Sequence, residues 1–358
     1  MVDRAYRIVV INPGSTSTKL ASYENEKPVW TCDIGYSAEQ LAPFHHSIDQ
    51  LELRKRDIEN VLQGKNTAVP FLDAIAVRGG PFKPLEGGTY RITEAVLQDV
   101  RQGNVMADHV SNLGVLLAEE IASRGHCPAF FVDPVSVDEF EPLARISGIP
   151  ELERKSLFHA LNIKASARCL ARDLGRVFED MQLIAAHLGG GISICAIRQG
   201  RIIDVNNANE EGPFSPERAG TLPVSSLAKL CYSGKFAYAE MKCKLVGMAG
   251  LSAYLGTNDA REVERRIQAG DKKAEQVYEA MAYQIAKEVG AMATVLHGQL
   301  DAILFTGGLS YSTVLMGWIK RRVSFLAPIY VFEGEREMEA LALGVLRILR
   351  GEEKEKRY

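Results

Sequence analysis

The sequence contains no Cys-x-x-Cys pair, and none of its six cysteines (Cys32, Cys127, Cys169, Cys195, Cys231, Cys243) stands at zinc-finger spacing from a histidine, which argues against a zinc ribbon or a dithiol redox centre. A chain of 358 residues can bury a core without disulfide staples, so these cysteines are expected to be reduced packing residues of a cytoplasmic protein. Neither charge is in excess. Forty-two Lys plus Arg oppose forty-five Asp plus Glu, a net charge of -3 that leaves no broad footprint for nucleic acid or an anionic membrane. No apolar run approaches the roughly 18 residues of a membrane span, and the short run ending at Ile11 is too brief for a signal-peptide core. Both standard nucleotide fingerprints, G-x-x-x-x-G-K-[ST] and a strand-borne G-x-G-x-x-G, are missing. What remains is an ordinary globular composition long enough for about two domains, with a small molecule as the default partner.

Two kinds of segment recur in the same order. Arg7 to Ile11 runs into a polar tip, Asn12 to Lys19, and a second extended segment follows to Tyr23. Later, Leu183 to Ala186 leads through His187-Leu188-Gly189-Gly190-Gly191 into Ile192 to Ile197, a Gln199-Gly200 turn and Ile202-Ile203. Likewise Leu72 to Gly80 resembles Leu300 to Gly308, each a strand ending in Gly-Gly. Such ordered repetition indicates a duplication giving two similar α/β domains. Helical spacing of apolar residues appears at Leu113 to Ile121 before Gly125, at Val277 to Leu296 before Gly298, and at Met338 to Leu349 before Gly351. The mixed-charge segment Glu352 to Arg357 is expected to be solvated and frayed. The break in periodicity at Glu141 to Pro150 suggests the interdomain connection. The division expected is 1–165 for the first domain and 166–335 for the second, with the helix at about 336–358 packed back on the first.

Turns rich in Gly, Ser and Thr suit an anion, because small residues let backbone N–H groups approach phosphate oxygens; tight hairpin turns account for any one of them equally well. The combination is more telling: Asn12, Ser15, Ser17 and Lys19 in one tip, Gly189 to Gly191 in another, Gly307-Gly308 in a third. The segment Val10 to Lys19 resembles the first signature of the acetate and butyrate kinase (acetokinase) family, and His187 to Ala196 with Gly200 resembles its second. The likeness extends to Asp108 to Asn112, Phe131 to Pro134, Leu157 to His159 and Phe214 to Gly220. It is nearer the butyrate kinase branch, since Gly190 stands where acetate kinases usually place Asn and the loop around Arg218 is shorter.

This resemblance implies two duplicated actin-like (ribonuclease H-like) α/β domains with a nucleotide cleft between them. It also implies reversible transfer of the γ-phosphoryl of ATP to a short-chain fatty carboxylate, with Mg2+, in a protein that self-associates at least as a dimer. By the same resemblance Arg78, Asp133, His159 and Arg218 are catalytic, and Arg78 and His109 bind substrate. The nucleotide is assigned to Asn12, Ser15, Ser17, Lys19, His187, Gly189, Gly190, Gly191, Gly307, Gly308 and Leu309. Asp133 and Glu337 are assigned to the metal, with Glu335 and Glu339 close enough in sequence to compete for the second role. The chemistry fits these residue types. A carboxylate is ionised at neutral pH and needs no base, so the obstacle is bringing one anion to another, which arginine forks relieve. His159 precedes a predicted helix whose positive end disfavours its protonation. A sugar or polyol kinase on the same fold, with Asp133 as general base, and a nucleotide-controlled binding module remain as alternatives.

Overall fold

Runs of β-branched residues closed by Gly, Asn or Pro become the central strands of two sheets in this computed structural model, which describes residues 4–358. The described residues form two compact units, 4–138 with 336–358, and 139–335. In the first, β1 (Arg7–Pro13), β2 (Ser17–Glu24) and β3 (Lys27–Gly35) make an antiparallel meander, and β4 (Ala74–Arg78) runs parallel to β1. Then come β5 (Thr89–Arg91) and β6 (Ala129–Val132), β6 parallel to β4. The second unit repeats the plan. Its meander is β7 (Gln182–Leu188), β8 (Ile192–Arg198) and β9 (Arg201–Val205), with β10 (Ala302–Gly307) parallel to β7 and β11 (Ile329–Glu333) parallel to β10. The orders β3-β2-β1-β4-β6 and β9-β8-β7-β10-β11 are the same, so the repetition read in the sequence is a repetition of topology.

Strands such as Ile8–Ile11 and Leu183–Ala186 are buried on both faces, each Val, Ile or Leu contributing about 1.5–3 kcal/mol of burial free energy. Helices cover the faces. Leu113–Gly125 packs on β4 and β6, and turns at His126, whose φ of 51° ends it one residue later than Gly125 alone suggests. Lys272–Val295, capped by Asp271 on the Ala274 N–H, buries Tyr278, Met281, Ile285 and Val289 against the second sheet. Glu337–Leu349 lies on β1, β4 and β6 within the first unit, where Gly344 sits so close to Val132 that a Cβ would come within 2.7 Å.

Three expectations are corrected. The segment after that helix is not frayed: Lys356–Arg357 form a strand beside β5, and Tyr358 packs on Phe82 and Phe131 and donates to Asp99 at 3.0 Å. A mixed-charge stretch hides this because its anchor is the aromatic residue that follows it. Residues 139–165 pack with the second unit, since Glu139 accepts from the Ile202 N–H, Arg154 donates to Asp204 and Glu211, and the helix Ala160–Asp173 lies on β7 and β10. All six cysteines are free as expected, but Cys231 and Cys243 are exposed on short helices; Cys195, by contrast, is fully buried, which pushes its thiol pKa up.

Candidate active site

The residues singled out in the sequence fall in two groups, one in each unit. In the first unit β1 ends at Asn12, paired across the hairpin with Lys19, while Arg78 closes the parallel strand β4 next to β1. Both converge on Glu337 at the first turn of its helix: its Oε2 accepts from Asn12 Nδ2 at 2.8 Å and from the Arg78 guanidinium at 3.0 Å. Glu335 instead lies 3.8 Å from His187 in the other unit, and Glu339 acts on Tyr23, so Glu337 is the glutamate that faces Arg78.

His109 caps a short 3-10 turn, its Nδ1 accepting from the Ser111 N–H at 3.1 Å and meeting the Ser111 hydroxyl at 2.7 Å. Burial first, and then the Arg78 charge, hold its pKa below the usual histidine range. A neutral ring with Nδ1 committed as acceptor carries its proton on Nε2, a donor without charge. Asp133 follows β6 with a φ of 37°, and it ties that strand to β5: its Oδ1 accepts from the Gly88 N–H at 2.7 Å and its own N–H donates to Gly88 O at 3.0 Å. A non-glycine residue in the left-handed region, buried and doubly bonded, is costly backbone of the kind found at sites of function.

In the second unit the strand-turn-strand β7–Gly189–Gly191–β8 is held by Ser215, whose hydroxyl donates to Gly190 O at 2.5 Å and accepts from the Arg218 N–H at 3.2 Å. The Arg218 guanidinium, mostly buried, lies against Gly191 so closely that a Cβ there would be 2.1 Å from it. Desolvation lowers its pKa, yet a guanidinium keeps its proton in proteins. The His159 and His187 rings stack at 4.0 Å, His159 Nδ1 meeting the Ser193 hydroxyl at 3.0 Å. Asn162 donates to His187 Nδ1 at 2.9 Å and to Thr306 Oγ1 at 3.1 Å, which fixes the His187 ring in one tautomer with its proton on Nε2. Gly307 has a φ of 92° and presses on Leu188 O, Gly308 is open, and Leu309 is buried in the core.

Sequence reasoning gave no role to Ser193, Ser215 and Thr306, although each lies in a segment it quoted, and it missed Asn162, which lies in none, and Arg54. For Arg54 a signal was present: it lies four residues before Ile58 and eight before Leu62, a charge on the buried face of the helix Leu51–Gly64. Among the described residues no cluster of three or more His, Cys, Asp or Glu could hold a metal by itself, and no helix is long and apolar enough to cross a membrane. Asp133 and Glu337 supply only carboxylate oxygens, a donor set that suits a hard cation sharing its remaining positions with water and phosphate oxygens.

Solved structures share this architecture. The acetate kinase of Porphyromonas gingivalis superimposes with a TM-score of 0.79 at 18% identity, over 96% of this chain and 100% of that one. A propionate kinase of Francisella tularensis subsp. tularensis SCHU S4 does so with 0.75 at 18% identity, over 95% and 98%. The acetate kinase of Entamoeba histolytica gives 0.74 at 17% identity, over 94% and 98%. At these identities the likeness establishes the fold, an α/β fold of two units with one sheet each. Residues 151–320, which carry His159, His187, the glycine turn and Arg218, match the model of the acetokinase family.

Proposed function

We propose that the protein is an ATP-dependent kinase of short-chain fatty carboxylates, of the butyrate kinase type, giving ADP and an acyl phosphate by direct in-line transfer. Arg78 carries the reading: a guanidinium at the end of β4, one N–H group held by Glu337, with uncharged His109 close enough to feel its field. The remaining N–H groups of its fork match a carboxylate or the phosphoryl oxygens, and His109 Nε2–H can donate to the same anion without needing a counter-charge. No proton has to be removed from an ionised acid, so the residues' work is alignment and neutralisation.

In the second unit Arg218 supplies a further guanidinium, and the Gly189–Gly191 and Gly307-Gly308 turns offer backbone to nucleotide phosphates and nucleoside. Asp133 and Glu337 would hold magnesium, Asp133 partly through water because its Oδ1 is engaged by Gly88. The ion, when bound with ATP, neutralises charge on the β and γ oxygens.

Trapping acyl phosphate as the hydroxamate, with ATP and a series of acids from acetate to hexanoate, tests this. The expected result is product with a maximum of kcat/KM at butyrate or its branched isomer. A maximum at acetate would remove the butyrate reading and keep the kinase, and no hydroxamate with any acid would remove both.

A further inference from the structure

A guanidinium buried behind the β1–β2 tip has no role in the scheme above. Arg54 has no solvent exposure, and its hydrogen-bond partners among the described residues are all neutral. They are Gln50 Oε1 at 3.0 and 2.9 Å, Ser17 O at 3.0 Å, Thr18 Oγ1 at 2.8 Å and Ser15 O at 3.3 Å. The Tyr36 ring lies 4.5 Å from its central carbon, and burial raises the Tyr36 pKa, so that ring too stays uncharged. A buried positive charge solvated only by dipoles is expensive and calls for an anion.

The tip shows where that anion would lie. Ser15 O and Ser17 O accept from Arg54, Thr16 O accepts from Tyr36 N at 2.9 Å, and Ser17 O also accepts from Gly14 N at 2.8 Å. Two carbonyls of the tip, Ser15 O and Ser17 O, are therefore turned toward Arg54. In a trans peptide the N–H points opposite to the carbonyl it follows, so the Thr16 N–H, which follows Ser15 O, faces away from Arg54, on a residue exposed at the tip. An outward N–H at an exposed Gly-Ser-Thr-Ser turn over a hidden cation makes an anion-binding site.

We infer that Arg54 is a positioning residue that shapes the 12–19 tip and supplies the buried charge with which the tip binds a phosphate group. It acts through the loop and touches no substrate. The identity of that group as a transferring phosphoryl rests on the kinase reading, whereas phosphate binding at the tip does not.

Inorganic phosphate is the probe, titrated into the full chain while the amide resonances of Thr16 and Ser17 are followed by NMR. Arg54→Lys keeps the charge and loses the fork; Arg54→Gln keeps a donor and loses the charge. The expected result is a phosphate midpoint within about threefold of the unsubstituted protein for Lys and at least about tenfold weaker for Gln. Equal weakening in both, or none in Gln, overturns the inference.

A second measurement needs no ligand. The Arg54 charge is one of the influences that lower the His109 pKa, so the imidazole titration should move upward in Arg54→Gln and stay in place in Arg54→Lys. No difference between the variants would overturn the electrostatic role. Should the Gln variant fail to fold, a folded Lys variant that has lost phosphate binding by tenfold does the same. Phosphate binding at the tip in a protein that makes no acyl phosphate would leave Arg54's role standing and remove the kinase reading alone.

Discussion

Replacing Gly191 by Ala should disable Arg218 without touching it. The Cβ would stand 2.1 Å from one guanidinium nitrogen, 2.5 Å from the central carbon and 3.0 Å from Nε. Ordinary contact begins near ~3.5 Å, so the guanidinium must retreat by roughly 1.5 Å. The φ of Gly191 lies outside the left-handed region, so the requirement for glycine here is space alone. A displacement of about 1 Å at a reacting centre costs on the order of 100-fold, so kcat/KM for acyl phosphate formation should drop by about that factor, or ~2.7 kcal/mol. The strain should lower stability by roughly 1–3 kcal/mol.

Gly190→Ala is the control, because its Cβ meets only Glu217 Oε2 at 3.6 Å, an ordinary contact. That variant should unfold in urea like the unsubstituted protein, and its KM for ATP should rise if phosphates approach the Gly190 backbone. Hydroxamate kinetics and urea unfolding read all three proteins. A folded Gly191→Ala enzyme with kcat/KM within about threefold of normal would refute the link between this glycine and a working Arg218.

His109→Gln should flatten the acid limb of stability. The folded pKa of His109 lies below its unfolded value of 6.5, so in that window the unfolded chain binds the extra proton, and stability is present above pH 6.5 and lost as pH falls toward the folded pKa. Urea midpoints at pH 7.5 and 5.5 should therefore differ less in the variant. Lys164→Met breaks a nearly fully buried pair, 2.8 Å from Glu139, and should cost about 3–5 kcal/mol in urea unfolding. Glu337→Gln removes a carboxylate from beside Arg78; the KM for the acid should fall as repulsion is relieved, while kcat falls by at least about tenfold if the charge also serves magnesium. A KM that rises with kcat unchanged would show that Glu337 only orients Arg78.

The first hairpin of each meander was legible because its signal is local: apolar runs of strand length, closed by small residues, recur in order in each half; β3, whose residues Lys27–Gly35 make no apolar run, was not read. The Gly191–Arg218 contact was not, since a glycine chosen for space looks like one chosen for a turn. Arg78 and Glu337 are 259 positions apart, and although the last helix was expected to return to the first domain, nothing in either neighbourhood says that it lands on β1 and β4 with Glu337 toward Arg78. The motif likeness named both residues, but only packing shows which of three nearby glutamates reaches the arginine. Residues 139–165 went astray for a related reason: the Pro- and Gly-rich stretch looked like a linker, while the ties that assign it are distant in sequence, from Glu139 to the Ile202 N–H and from Arg154 to Asp204 and Glu211. Arg54 went unread altogether, though a charge at helical spacing from Ile58 and Leu62 was there to be noticed.

The charges of the first unit bear on the kind of acceptor it is suited to. Arg54 is buried without a counter-ion among its bonded partners, Arg78 shares Glu337, and His109 is biased toward its neutral form. Such a set attracts an anion and has little to offer a neutral polyol, whose hydroxyl must give up a proton as it attacks. The sequence left Asp133 as the base for that alternative. Asp133 is buried with Oδ1 on the Gly88 N–H and its own N–H on Gly88 O, so that oxygen holds β6 to β5. A carboxylate acceptor asks nothing of Asp133 as a base and uses the Arg78 guanidinium at the end of β4, which is why the acid kinase is the more economical account of these side chains.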